Sequence, residues 1–330
     1  MHTYSRLAVY LITFVLFDLE MPAAADEPVQ QTAFNRPAPV ETQAQAVRFG
    51  RQPTRVGDQI EQTVAIEMRL ALTMRRGNEL LGKNQSTVRT NQRRIVTTTA
   101  IDAGRTMAVT VQYAEATKQV VATEAPTAPS QPDGATEGAG AIAPYQPMPQ
   151  SVQGKTYLCH REPGENGKLI VTDEAGNRPP TEEYDIVAQQ MEMVGRPNPL
   201  AQFLVGRTIA VGEKLELPKN LASQIFNLGD KFGEVTRFTL TLQKVQAEDG
   251  ASCAVFLASV EAASNNASQM RLQVEGPLAV QVDTCRATRI NLEGPIGMSE
   301  TRGSYSTAHQ VIGTGHLESN IASAYREARR

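Results

Sequence analysis

The sequence predicts a mainly β fold (α+β), a long curved antiparallel sheet or half-barrel covered on one face by short helices. Two observations predict it. Apolar residues alternate at period two along several stretches, which puts one set of side chains inward and the other in water. Apolar-faced helical patterns occur in one region alone, between about residues 179 and 228.

Taken in order, the chain opens with residues 1–25, which read as a secretory signal peptide. Arg6 gives the positive n-region, Leu7 to Phe17 is a nearly unbroken apolar run, and Ala23-Ala24-Ala25 offers the small residues of a cleavage site. The run is about half the roughly 20 residues needed to span a bilayer core. The expectation is therefore export to the periplasm, cell envelope or extracellular space, with no membrane span after cleavage. Residues 26–54, rich in Gln, Ala and Pro without periodicity, read as a disordered mature N-terminus. Residues 55–330 read as one β-rich domain, interrupted by a Pro/Gly-rich disordered loop at 123–151 whose composition cannot bury enough apolar surface to offset its ordering entropy.

From Ile60 the inward set is Ile60, Gln62, Val64, Ile66, Met68, Leu70, Leu72 and Met74. At about 3.3 Å per residue this run approaches 50 Å, so it is expected to curve strongly or to pair with two neighbours in succession. The pattern returns at Met107, Val109, Val111 and Tyr113, at Phe238, Leu240 and Leu242, and at Met270, Leu272 and Val274 followed by Leu278, Val280 and Val282. Gly276-Pro277 suggests a bulge or bend in the last of these. Weaker strand signals cover residues 86–101, 253–260, 287–292 and 299–311. One-sided alternation at this frequency marks an antiparallel sheet with one wet face.

The helices follow Pro179-Pro180. Thr181 is the expected N-cap, and Glu182 and Glu183 lie where the helix dipole favours negative charge. Tyr184, Val187, Met191 and Val194 fall on one face, with Met193 widening it, and Gly195 and Pro197 stop the helix. A second short helix runs from Asn198-Pro199 to Gly206 with Phe203 and Leu204 on its apolar face. A third runs from about Pro218 to Leu228. These helices are expected to cover the sheet, and Tyr184, Val187, Met191, Met193, Val194, Phe203 and Leu204 are the candidate ligand-binding face. Methionine suits adaptable apolar surfaces.

A formal net charge of −3 becomes −2 once cleavage removes Arg6, Asp18 and Glu20. With no basic run, this balance speaks against a nucleic-acid partner. Of the three cysteines, Cys253 and Cys285 are the preferred pair if a disulfide forms, with buried thiols as the other reading. The chain has no zincin, CxxC, EF-hand, P-loop or nucleophile-elbow motif, and neither a cofactor nor a metal site is expected. Cys159-His160 is the one adjacent nucleophile and base. On a strand the two side chains would point to opposite faces, leaving His309 or His316 as the partner a hydrolase would need.

Val56-Gly57-Asp58-Gln59-Ile60-Glu61 is similar to Val211-Gly212-Glu213-Lys214-Leu215-Glu216, which suggests two related halves building one sheet. A Val-Gly-acid turn opening each set of strands resembles exported bacterial proteins of unknown function. Over roughly residues 55–122 and 152–312, the inferred architecture resembles the half-barrel lipoprotein carriers of the LolA and LolB type. That resemblance implies a non-enzymatic protein holding an apolar small molecule or lipid between a concave sheet and a helical lid. The alternatives are an envelope scaffold that binds another protein, and a hydrolase built on Cys159.

Overall fold

The computed structural model describes residues 46–124, 146–164, 167–226, 233–248, 250–264, 268–302 and 308–328. The expected signal peptide, most of the expected disordered N-terminus and residues 125–145 of the Pro/Gly-rich loop lie outside them.

Among the described residues, the predicted sheet is present as one antiparallel sheet of twelve strands. In chain order its strands are β2 (Gln59–Arg76), β3 (Glu79–Asp102), β4 (Arg105–Glu124), β5 (Met148–Pro149), β6 (Thr156–Arg161), β7 (Leu169–Asp173), β9 (Lys214–Glu216), β10 (Glu234–Glu248), β11 (Ala251–Ala263), β12 (Ser268–Gln281), β13 (Ala287–Arg302) and β14 (His309–Arg326). The two short strands β1 (Ala46–Arg48) and β8 (Thr208–Ala210) pair with each other alone. The spatial order is β7-β6-β4-β3-β2-β14-β13-β12-β11-β10-β9, with β5 on β4, so the sheet stays open between edges β7 and β9. The first half of the chain grows outward from β2 and the second half returns to it through β14.

On β2, Val64, Ile66, Met68, Leu70 and Leu72 are all buried, as the alternation requires. The strand does not divide its pairing between successive neighbours. It pairs with β3 from Gln59↔Thr97 to Arg76↔Glu79 and with β14 from Gln59↔Arg326 to Arg75↔Gln310, along almost its whole length. Its outward residues form charge ladders: Glu61 meets Arg93 at 2.6 Å and Arg326 at 3.1 Å, and Glu67 meets Arg89 at 2.9 Å. Solvent screens such exposed pairs, so they add little to stability. They mark the wet face.

On β4 the inward residues Val109, Val111 and Tyr113 give way to Ala116, because a bulge opposite Arg93 and Arg94 inserts one residue and shifts the parity. A second irregularity near the strand start buries Thr106 in place of Met107. At Gly276-Pro277 the pairing of β12 with β11 continues in register, so no bulge forms there. A Cβ at Gly276 would sit 2.0 Å from the Asn291 carbonyl oxygen of β13, and this close approach explains the glycine.

Three helices cover the inner face: α1 (Thr181–Gln190), α2 (Pro199–Leu204) and α3 (Lys219–Phe226). Helix α1 begins one residue earlier than expected, with Pro180 at the cap position and Thr181 already helical. It also ends earlier than expected. Met191 to Gly195 leave it in successive turns, since buried Arg161 takes the freed carbonyls of Glu192 and Val194, and that of Gly167 at 2.8 Å. Asn198 caps α2, accepting from the N–H groups of Leu200 and Ala201 at 2.9 and 3.1 Å.

Two stretches read as disordered are partly built into the fold. Phe49 is buried and stacks on Phe256 with ring centroids 6.0 Å apart, a burial of about 2–3 kcal/mol. Its backbone bonds to Arg207 and Gly206 beside α2, and Gly50 donates to Val282 at the end of β12. Residues 46–50 therefore form a strap between helical cover and sheet. At the end of the Pro/Gly-rich loop, Met148 and Pro149 pair with β4, and Val152 is wholly buried. Composition reveals neither, because Phe49 is a single anchor in its stretch and the Met148–Pro149 pairing is set by β4.

Candidate functional site

The inner face holds two apolar clusters, and the predicted ligand face is divided between them. Val187, Met191 and Val194 are fully buried in the first, against Val96, Val109, Val111, Tyr157, Cys159 and Val171, with Tyr184 and Met193 half-buried at its margin. Phe203 and Leu204 lie in the second, larger cluster, with Phe49, Phe256, Leu240 and the inward residues of β2. The Arg207 guanidinium sits 4.3 Å over the Phe203 ring, and that of Arg178 4.8 Å over Tyr184.

Between the clusters runs a polar belt that the spacing of apolar residues on the helices does not reveal. In an antiparallel sheet, directly opposite residues share a face. One row across β14, β2, β3 and β4 therefore reads Ser323, Gln62, Arg94, Tyr113. The next reads Ile321, Val64, Gln92, Ala116, and the one after it Ser319, Ile66, Thr90, Lys118. Apolar rows bound these three on both sides, namely Tyr325, Ile60, Val96, Val111 and Leu317, Met68, Val88, Val120.

Arg94 is 1% exposed. It donates from Nε to Gln62 Oε1 at 2.9 Å, from a second nitrogen to the same oxygen, and from a third to Gln190 Oε1. Gln190, the last residue of α1, also accepts from Tyr113 at 2.8 Å and donates to Gln92 at 2.8 Å, while Gln92 donates to Gln150 at 2.7 Å. Burial pushes the Arg94 guanidinium below its usual range and the Tyr113 hydroxyl above its own. Thr90 Oγ1 and Ser319 Oγ are buried in the belt without a hydrogen-bond partner. The sequence carries a trace of this belt. Thr90, Gln92 and Arg94 occupy the inward parity between Val88 and Val96.

A second polar contact ties α1 to the sheet. Glu183, buried in the first turn, accepts from Tyr157 at 2.6 Å and from Lys155 at 2.7 Å. Burial works against its charge, yet these two donors outweigh it and hold the carboxyl below the usual range. A cleft of about 200 Å³ opens between the end of α1 and α3, lined by Gln190, Met193, Arg196, Ser223 and Gln224 among others.

The cysteines are buried thiols, and the Cys253–Cys285 disulfide is not formed. Cys285 Sγ instead donates to the Gly50 carbonyl at 3.3 Å, which turns it toward the strap. Cys159 is buried while His160 is exposed, as strand geometry predicts, and burial pushes the Cys159 thiol up to about 12. His309 and His316 are on β14, separated from Cys159 on β6 by β2, β3 and β4, so no Cys–His pair assembles. Among the described residues, no group of three or more His, Cys, Asp or Glu could hold a metal ion, and no helix is long and apolar enough to cross a membrane.

No protein-family model matches the chain, and no curated protein matches it. Among solved structures it is similar to lipovitellin, from a structure of its lipid–protein interactions, at 8% identity and a TM-score of 0.38 over 84% of this chain. The chain spans 26% of that protein's length. It is also similar to a LolA superfamily protein from Nitrosomonas europaea, at 8% identity and a TM-score of 0.13, over 81% of this chain and 86% of that one. Scores this low leave the fold to rest on its own residues.

Proposed function

We propose that this chain is an exported, non-enzymatic binding protein that holds an apolar or lipid-like ligand between the inner face of its sheet and its helical cover. One observation supports this above the rest. The apolar face of an open twelve-stranded sheet is covered by three short helices and a strap, and a cleft opens at the join between α1 and α3. Val187, Met191, Val194 and Leu204 are fully buried, so the ligand enters by displacing the cover and replacing its contacts. Affinity then comes from exchanged apolar area, with a few polar groups setting orientation.

The test is native mass spectrometry of the chain purified from an exporting bacterial host, with extraction of bound material. A co-purified apolar molecule is the expected result, and a clean unliganded mass overturns the reading. A second reading, an envelope scaffold binding another protein, is favoured by the β2–β3 hairpin end, where Met74, Leu80 and Leu81 are exposed together.

A further inference from the structure

We infer that the polar belt centred on Arg94 is a binding site for one anionic headgroup, a carboxylate or phosphate, of an amphipathic ligand. The inference deepens the apolar-ligand reading and, in its lipid form, rests on it.

Arginine stays charged in proteins, so a fully buried guanidinium ordinarily faces a carboxylate. The acceptors of Arg94 are instead the neutral carboxamide oxygens of Gln62 and Gln190, and no carboxylate among the described residues pairs with it. Neutral carbonyls satisfy hydrogen bonds but do not cancel the charge, whose desolvation remains uncompensated. Such a cost is expected in a protein that receives a negative charge from outside. The guanidinium fork matches the two oxygens of a carboxylate or phosphate.

Three further features converge on the same place. Thr90 Oγ1 and Ser319 Oγ, flanking Ile66 in one row of the inner face, are buried hydroxyls with no partner and are available to an oxyanion. Lys118 stands opposite Thr90 in that row, half-buried, with Glu182 of α1 as the carboxylate that acts on its charge. Gln190 touches Arg94 through its side chain and also lines the cleft between α1 and α3. Withdrawal of its carboxamide opens a path from water to the guanidinium. The belt is bordered by an apolar cluster on each side, so a chain attached to the anion has an apolar bed to lie in.

The test measures binding of laurate, 1-dodecanol and inorganic phosphate by titration calorimetry to the wild-type chain, Arg94→Met and Lys118→Met. Laurate is expected to bind the wild type at least about tenfold more tightly than dodecanol, the worth of one charge-assisted contact. Both substitutions are expected to remove that preference, bringing laurate affinity down to that of dodecanol on the same variant. Equal binding of laurate and dodecanol, or a preference that survives Arg94→Met, overturns the anion site and leaves the apolar-ligand reading standing. If neither chain compound binds, the apolar-ligand reading fails, and phosphate decides. Phosphate binding lost in Arg94→Met supports an anion site for a free anion, and no phosphate binding overturns it. Circular dichroism checks folding; should Arg94→Met not fold, the more exposed Lys118→Met decides, and an unchanged preference there overturns the proposal.

Discussion

Asp58 and Glu213 occupy the same position in two copies of one turn. Each accepts a hydrogen bond at 2.9 Å from the backbone N–H three residues earlier, that of Arg55 or Ala210. Gly57 and Gly212 precede them with φ of 92° and 87°, a conformation that favours glycine in such turns. The pairing outside the turn repeats too. Gly57 donates to the Thr98 carbonyl while Thr98 donates to that of Asp58, and Gly212 and Leu242 make the same exchange with Glu213. The weak sequence repeat is thus a repeated structural unit, joined to β3 in one half and to β10 in the other.

The two acids differ in what else they hold, and the difference predicts unequal costs of removal. Asp58 is buried, accepts from Ala328 N–H at 3.0 Å, and lies 3.7 Å from buried Arg286, whereas Glu213 is exposed. Asp58→Ala leaves Arg286 without that charge and is expected to destabilise the fold by about 3 kcal/mol. Glu213→Ala is expected to cost about 0.5–1 kcal/mol, the worth of an exposed turn hydrogen bond. Urea unfolding of the two variants checks this; equal costs would show that the Arg286 contact contributes nothing.

Glu183 predicts a pH dependence. Its carboxyl is held below the usual value of 4.5, so its contribution to stability is present above that value and is lost as pH falls through the lower folded one. Glu183→Gln is expected to be less stable than the wild type at neutral pH, and the gap is expected to narrow steadily below about pH 4.5. Thermal unfolding of both proteins across this range measures the gap. A gap independent of pH would remove the charge of Glu183 from the explanation.

The sheet was legible in the sequence because its alternation is strong where one face is apolar, as Val64 to Leu72 show. The helices were legible from their caps and stops, and the largest shift is at the C-terminal end of α1, because Arg161 comes from a strand distant in sequence to take the carbonyls there. The candidate site was legible in part. Val187, Met191 and Leu204 announced themselves by helical spacing, but spacing does not reveal that Phe203 and Met191 face different clusters. Arg94 was missed for a different reason. A charged residue at an inward position reads as an interruption of the pattern until the rows across four strands are known.

The thiols give a prediction that separates the two readings of the cysteines. All three are buried, and Cys159 has its thiol raised to about 12, so its reactive thiolate is scarce near neutral pH. None of the three is expected to react with iodoacetamide in the folded protein at about pH 8. All three are expected to react after unfolding in denaturant without reductant. A single reacting thiol under those conditions would reveal a disulfide and overturn the present assignment.

Ala103 predicts a gain in stability. The β3–β4 hairpin closes at Asp102↔Arg105 through Ala103-Gly104, with φ of 46° and 72°. Positive φ at both central residues defines a turn whose preferred pair is Asn-Gly, since its twist matches that of the flanking strands. A left-handed alanine costs roughly 1–2 kcal/mol, whereas asparagine visits that region readily. Ala103→Asn is therefore expected to stabilise the chain by about 0.5–1 kcal/mol, since it relieves only part of that strain. The substitution lies at an exposed hairpin tip, away from Arg94, so ligand affinity should stay unchanged. Urea unfolding measures the gain, and a loss of stability would show that this turn does not hold the left-handed conformation in solution.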